Sequence, residues 1–230
     1  MAHGTRWAQG KKHVFDATVA VSKLGSKRQC PNANDYHLLQ HVVKYLATTR
    51  TEQRHFKKYP NKPLLTSAYC DGAVGSESNG KGRISTLVLV LGNVVDHQSR
   101  STTGTSSNEI ETKALLPCTK DAVFIGRIAT FLMSKIDPLY PSLGKPVPVY
   151  TDNAGALKVA SPRYKPTKST RHMLPKYAQI KQYQADGLIN VVKVAGGSSD
   201  DQKADFLTKF FGVSHFVRKK RMLGIFHDPN

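Results

Sequence analysis

The sequence predicts an α/β fold built on a mixed five-stranded sheet: three antiparallel strands, then two that arrive through helical crossovers, all flanked by helices. A small helical appendage precedes it. Three observations carry this prediction. Three strand-length runs of alternating or β-branched residues follow one another between 65 and 100 with only turn chemistry between them. Beyond residue 106 two shorter apolar runs, VPVYT at 147–151 and INVVKV at 189–194, alternate with helical stretches, as in β-α-β units. Residues 50–63 are polar, basic and Pro-bounded, which divides the chain into 1–63 and 64–230.

In the first part, residues 15–24 (FDATVAVSKL) and 35–49 (DYHLLQHVVKYLATT) have helical character. In the second of these, Leu38, Leu39, Val42, Val43, Tyr45 and Leu46 recur at helical spacing and predict a buried stripe. Strands follow at 65–71 (LTSAYCD), 84–91 and 94–100, the last two joined by turn chemistry at Gly92-Asn93, with the Gly/Ser-rich stretch 72–82 as the first connection. Ser106-Ser107-Asn108 caps a long helix whose first turn carries Glu109 and Glu111, where the helix dipole favours acids. Pro117 predicts a kink in it or a new helix start. The strand at 147–151 ends in Asp152, a short helix follows, and then the basic loop SPRYKPTKSTRH at 161–172. A helix at 176–185, the fifth strand at 189–194, a capped helix over 198–211 with Asp200, Asp201 and Asp205, and a basic helix at 215–223 complete the prediction.

Composition bounds the function. With 230 residues and 39% hydrophobic content the chain can bury one sizeable core. Lys and Arg number 34 against 16 Asp and Glu, a net charge of +18 spread along the chain, which predicts a polyanionic partner, nucleic acid first. Cys30, Cys70 and Cys118 have neither disulfide-framework nor zinc-ligand spacing, which fits a reducing intracellular compartment. No apolar run approaches the roughly 20 residues of a membrane span, so no membrane partner is expected. Residues 1–15 lack acids and carry Arg6, Lys11 and Lys12, a composition compatible with a presequence.

The strand order is that of a ribonuclease H-like mixed sheet, and within it four acids hold comparable positions. Asp71 ends the first strand, Glu111 lies in the first long helix, Asp152 ends the fourth strand and Asp205 lies near the end. Taken singly, an aspartate between a strand and a helix is an ordinary N-cap. Taken together, four converging carboxylates repel one another unless cations lie between them, and two Mg²⁺ ions would relieve that repulsion and support an in-line phosphoryl displacement.

From Asp71 onwards the chain resembles the ribonuclease H domain of copia-type retrotransposon polyproteins. The resemblance lies in AYCDGAVG, SSNEIETKAL, VYTDNAGAL, the STRH segment and, most specifically, SDDQKADFLTK, close to the family's DQxADxxTK pattern. GTR at 4–6, ATVAVSKLG and the helix ending VVKYLATT resemble the end of the copia reverse transcriptase, its thumb. The resemblance implies metal-binding roles for Asp71, Glu111, Asp152 and Asp205, with Glu109 as a second match in the helix, and a substrate-side role for His172. The chain departs from the family pattern at Ala73 and Val74 after the first aspartate, at Leu174 after the histidine, at WAQGKKHVF in the thumb entry and at Pro117. The polymerase palm with its paired aspartates is not in the sequence, so reverse transcription by these residues alone is not expected.

Two functions are therefore in view. One is a Mg²⁺-dependent ribonuclease H that cuts the RNA strand of RNA–DNA hybrids, with Arg163, Lys165, Lys168, Arg171 and His172 tracking the nucleic acid. The other is a domesticated, idle RNA-binding subunit of a ribonucleoprotein such as a mitochondrial ribosome, held there by other proteins and structured RNA. The first implies nucleus or cytoplasm, the second the mitochondrion. A DNA-transposing or junction-resolving nuclease of the same fold shares the acid logic but lacks the SDDQKADFLTK ending. Convergence of the carboxylates speaks for catalysis; a Lys or Arg side chain filling the space between them speaks for the structural role.

Overall fold

The computed structural model describes residues 16–50, 52–54, 56, 64–77, 80–166, 168–196 and 201–226. The appendage contributes α1 (Thr18–Lys27), α2 (Ala33–Thr48) and the two-residue strand β1 (Gln53–Arg54). The sheet strands are β2 (Thr66–Ala73), β3 (Gly82–Val90), β4 (Asn93–Thr102), β5 (Val147–Thr151) and β6 (Ile189–Lys193). Between and after them come α3 (Ser107–Ile136), α4 (Ala154–Ala160), a 3-10 turn (Lys168–Met173), α5 (Leu174–Ala185), a second 3-10 turn (Lys203–Leu207), α6 (Val213–Met222) and β7 (Ile225–Phe226).

The five-stranded sheet has the order β4-β3-β2-β5-β6. β2, β3 and β4 pair antiparallel, because short turns return the chain, whereas β5 and β6 join parallel through helical crossovers. This is the predicted mixed sheet, and the topology is ribonuclease H-like. Val90 and Asn93 are paired, so the hairpin turn is Leu91-Gly92, one residue before the expected pair, with both φ angles positive at 49° and 75°.

β2 lies at the centre, and its alternation feeds both cores. Ala68 and Cys70 pack on Leu115 and Cys118 of α3, with Val149 of β5 and Ile180 of α5 in the same cluster. Tyr69 packs the other way, with Leu87, Phe206, Leu207 and Ile225. The appendage is tied to this body by named contacts. His97 of β4 lies 3.1 Å from the Thr18 hydroxyl, Arg83 of β3 donates to Ser22 at 2.9 Å, and β1 pairs antiparallel with β7. Neither short strand is expected from sequence, because two residues carry no periodicity.

Several expectations need correction. The α2 stripe is mostly not buried: Val42 is, Leu38, Tyr45 and Leu46 are partly so, and Leu39 and Val43 are exposed, because only one narrow side of α2 meets α1. α3 runs through Pro117 as one 30-residue helix. Burial of Ala114, Leu115, Cys118 and Ala122 on both sides of the proline offsets the roughly 3 kcal/mol that an interior proline costs. Of the helix expected over 198–211, the described residues 201–211 form only the 3-10 turn Lys203–Leu207, because the Ala204 and Leu207 carbonyls accept from the Ser85 and Ser99 hydroxyls instead of from a following turn. The expected features at 1–15, 57–63 and 197–200 lie outside the described residues. No helix among the described residues is long and apolar enough to cross a membrane.

Candidate metal centre

Register brings two of the acids together. Ala68 pairs with Val149 and Tyr69 with Tyr150 across the parallel β2–β5 contact, so Asp71 and Asp152, each two residues further on, leave the sheet at the same level. Strand ends of this kind are where α/β sheets meet ligands. Asp152 does not cap the helix behind it. Asn153 does, its Oδ1 accepting from the Gly155 and Ala156 amides at 2.7 and 2.9 Å, which leaves the Asp152 carboxylate free to face Asp71. Asn153→Ala is therefore expected to lower stability by about 1 kcal/mol in urea unfolding while leaving cation binding unchanged.

Asp205 arrives from the second 3-10 turn, and Gln202, Thr208 and Lys209 of QKADFLTK help to hold it there. Gln202 caps that turn and donates to the Cys70 carbonyl at 3.0 Å. Thr208 donates its hydroxyl to Asp71 Oδ2, stitching the turn to the end of β2. Asp71, Asp152 and Asp205 each present one oxygen within 4.8 Å of the others.

Glu111 lies outside that set of three but close enough to feel it. Gly72 allows this proximity: a Cβ there would come within 2.9 Å of the Glu111 backbone nitrogen, so any larger residue pushes α3 off β2. Gly72→Ala is expected to cost about 1–3 kcal/mol by overpacking, measured by chemical denaturation, with a parallel loss of cation affinity. The Glu109 alternative is engaged elsewhere. It is bound by Lys113 at 2.6 Å and by the Thr105 amide at 2.9 Å, and lies 3.3 Å from His172 Nε2. The Lys113 bond, with that from Thr105, lowers the Glu109 pKa to about 2.

The acid cluster is short of positive charge. Burial, then the neighbouring Asp205 charge, raises the Asp71 pKa to about 6. Burial followed by the charges of Asp71 and Asp152 raises that of Glu111 to about 9. Glu111 Oε2 and Asp152 Oδ1 are buried without a hydrogen-bond partner. An all-carboxylate donor set with orphaned oxygens and raised pKa values fits a hard divalent cation such as Mg²⁺. Lys209 partly meets the need, donating to Asp205 Oδ1 at 2.7 Å, but its side chain is 44% exposed and so stands at the solvent edge of the cluster. Burial opposes its charge, yet the Asp205 bond and the acids together hold its pKa above the usual lysine range.

Of the basic residues, Arg163, Lys165, Arg171 and His172 are exposed on the stretch between α4 and α5, while the Lys168 side chain lies outside the described set. Gln202, Thr208 and Lys209 were not singled out from sequence, although all three are spelled out in QKADFLTK. Their signal was the motif; their tasks needed the fold.

No model of a known protein family matches the chain. Over 218 residues, 93% of its length, the chain is 26% identical to the retrovirus-related Pol polyprotein from transposon RE2 of Arabidopsis thaliana, of which it spans 14%. Solved structures similar to it include LC11-RNase H1 in complex with RNA/DNA hybrid, at TM-score 0.43 and 21% identity over 62% of this chain and 93% of that one. The N-terminal RNase H domain of rv2228c from Mycobacterium tuberculosis matches at 0.46 and 16%, over 69% of this chain and 98% of the other. The prototype foamy virus protease-reverse transcriptase matches at 0.40 and 13%, over 75% and 22%. The chain thus has a ribonuclease H-like fold and is similar, over nearly its whole length, to one stretch of a copia-type Pol polyprotein.

Proposed function

We propose that this chain is a divalent-metal-dependent ribonuclease that cuts the RNA strand of RNA–DNA hybrids and leaves 3′-hydroxyl and 5′-phosphate ends. The observation that carries the proposal is the convergence of buried Asp71 and Asp205 with half-buried Asp152 near adjacent strand ends, with buried Glu111 beside them and without enough counter-charge. Magnesium, two ions if the site fills, would supply an activated water and stabilise the leaving oxygen. Asp71 and Asp152 face both neighbours and would share the cations, while Glu111 and Asp205 would each hold one from the flank. Lys209 would yield Asp205 to the cation. Arg163, Lys165, Lys168, Arg171 and His172 would follow the phosphates, reading backbone shape and 2′-hydroxyls and not base sequence.

The test is cleavage of a uniform-length RNA–DNA hybrid in Mg²⁺, with RNA–RNA and DNA–DNA duplexes alongside. RNA cut only in the hybrid is expected; equal cleavage of RNA duplex would overturn the substrate assignment. A second reading, an idle RNA-binding subunit of a ribonucleoprotein, is favoured by one observation: Lys209 already neutralises part of the cluster without metal. Under that reading no duplex is cut at any Mg²⁺ concentration.

A further inference from the structure

α3 changes character along its length. Its N-terminal half is buried through Ile110, Glu111, Ala114, Leu115 and Cys118, whereas beyond Val123 only Gly126 and Ala129 are buried. The opposite side of this second half is apolar and open. Phe124, Ile128, Phe131, Leu132, Ile136 and, just past the helix, Leu139 are between 47% and 87% exposed. Within the helix, separations of four, three, one and four residues put Phe124, Ile128, Phe131, Leu132 and Ile136 on one side of successive turns. A single exposed leucine would need no explanation. Five in register, with Leu139 past the helix end, form a contiguous apolar stripe, and a contiguous exposed stripe, unlike scattered single side chains, marks an interaction surface.

The charges around the stripe restrict what can cover it. Lys120, Arg127 and Lys135 are exposed along it. Asp121, the acid nearest its start, is half-buried and accepts a hydrogen bond from Gln98. A second copy would set these three cations against its own in a chain of net charge +18, and like charges across an interface oppose association. A nucleic-acid backbone would meet the cations but leave the two phenylalanines and four aliphatic side chains against charged phosphates. An apolar seam bordered by acids matches both features at once.

We propose that the C-terminal half of α3 is a docking surface for a protein partner that presents an amphipathic helix, its apolar face bordered by Asp or Glu. The surface is separate from the acid cluster. At 1.5 Å per residue, the stripe begins roughly 20 Å along the helix axis from Glu111 and reaches roughly 38 Å at Ile136. A partner seated there leaves the cluster open to substrate, yet is fixed to it by one continuous helix, so the distance between partner and acids is set rigidly.

The test uses the full chain and two labelled synthetic amphipathic helical peptides with the same leucine face, one bordered by glutamates and one by lysines, read by fluorescence anisotropy. The glutamate-bordered peptide is expected to bind in the micromolar range, at least tenfold tighter than the lysine-bordered one. The double variant Phe124→Ser/Phe131→Ser should weaken it at least tenfold. Both side chains are exposed, so the variant's melting temperature should match that of wild type, and Ile128→Ser serves as a second, milder variant. Absence of binding, binding that the variants leave unchanged, or equal binding of both peptides overturns the proposal. So does concentration-dependent dimerisation of the chain abolished by the variants, which would assign the face to a second copy. Flotation with anionic phosphatidylserine vesicles, lost in the variants, would assign it to a membrane surface and overturn it as well.

Discussion

Asp152→Asn should lower the rate of hybrid cleavage by about a thousandfold at saturating Mg²⁺, since a metal ligand contributes several kcal/mol of charge stabilisation and each 1.36 kcal/mol is a factor of ten. Hybrid affinity, measured in Ca²⁺ to suppress turnover, should change less than about threefold, because phosphate contacts by Lys and Arg supply most of the binding. The variant separates two roles that the sequence alone leaves superposed at this position. A capping aspartate replaced by asparagine keeps its cap, so an Asp152 that merely capped would tolerate the change with activity intact. The structure gives the cap to Asn153 and leaves Asp152 Oδ1 buried and without a hydrogen-bond partner, which favours the second role under the proposed function. A variant as active as wild type would end the proposed function; a variant that also fails to bind hybrid would show instead that the substitution disturbs the basic surface.

The sheet was legible in the sequence because each of its strands is a run of five or more residues bounded by turn chemistry, and because hairpins and helical crossovers fix opposite pairing directions. The 147–151 strand matches its expected bounds to the residue, since Pro146 and Asp152 mark its ends sharply. What escaped was whatever depends on tertiary partners. The SDDQKADFLTK segment has acids placed like a helix cap and a helical-looking apolar spacing. Serine hydroxyls on β3 and β4 nevertheless claim the Ala204 and Leu207 carbonyls, and its described part forms the short 3-10 turn Lys203–Leu207. That loss of helix is what holds Asp205 against Asp71. Pro117 is the opposite case, a local breaker overridden by the core it sits beside.

The site was half legible. Four acids could be named, but not that three gather tightly while Glu111 stands aside, since this depends on how closely Gly72 lets α3 approach β2. The α2 stripe shows the converse limit. Helical periodicity reported a helix correctly and its burial wrongly, because spacing says which side is apolar and not whether anything covers it. The same ambiguity on α3 is resolved by exposure.

Glu111→Gln should stabilise the metal-free protein at pH 8 and change it far less at pH 5. The folded-state pKa of Glu111 is raised to about 9 from 4.5 by burial and by Asp71 and Asp152. Between those values the folded chain holds a proton that the unfolded chain releases, so stability falls as pH rises through the window, at up to about 1.4 kcal/mol per pH unit. Asp71, raised to about 6, adds the same sign of slope below that pH. Glutamine has no proton to lose and still offers one oxygen to the Gly72 amide. At pH 8 the variant should therefore exceed wild type by several kcal/mol, up to about 4–5, in urea unfolding with chelator present, while at pH 5, where Glu111 is protonated in the folded state and the unfolded group has only begun to release its proton, the two should agree within about 1 kcal/mol. Comparing variant with wild type cancels the self-repulsion of the +18 chain. Millimolar Mg²⁺ should then raise wild-type stability at pH 8 more than that of the variant, because only the wild type gains a counter-ion for a carboxylate it otherwise keeps at a cost. A variant less stable than wild type at pH 8 without metal would show that Glu111 is held by a partner and is a structural acid. Stabilisation without any Mg²⁺ dependence would place Glu111 in the strained cluster but outside the set that binds the cation.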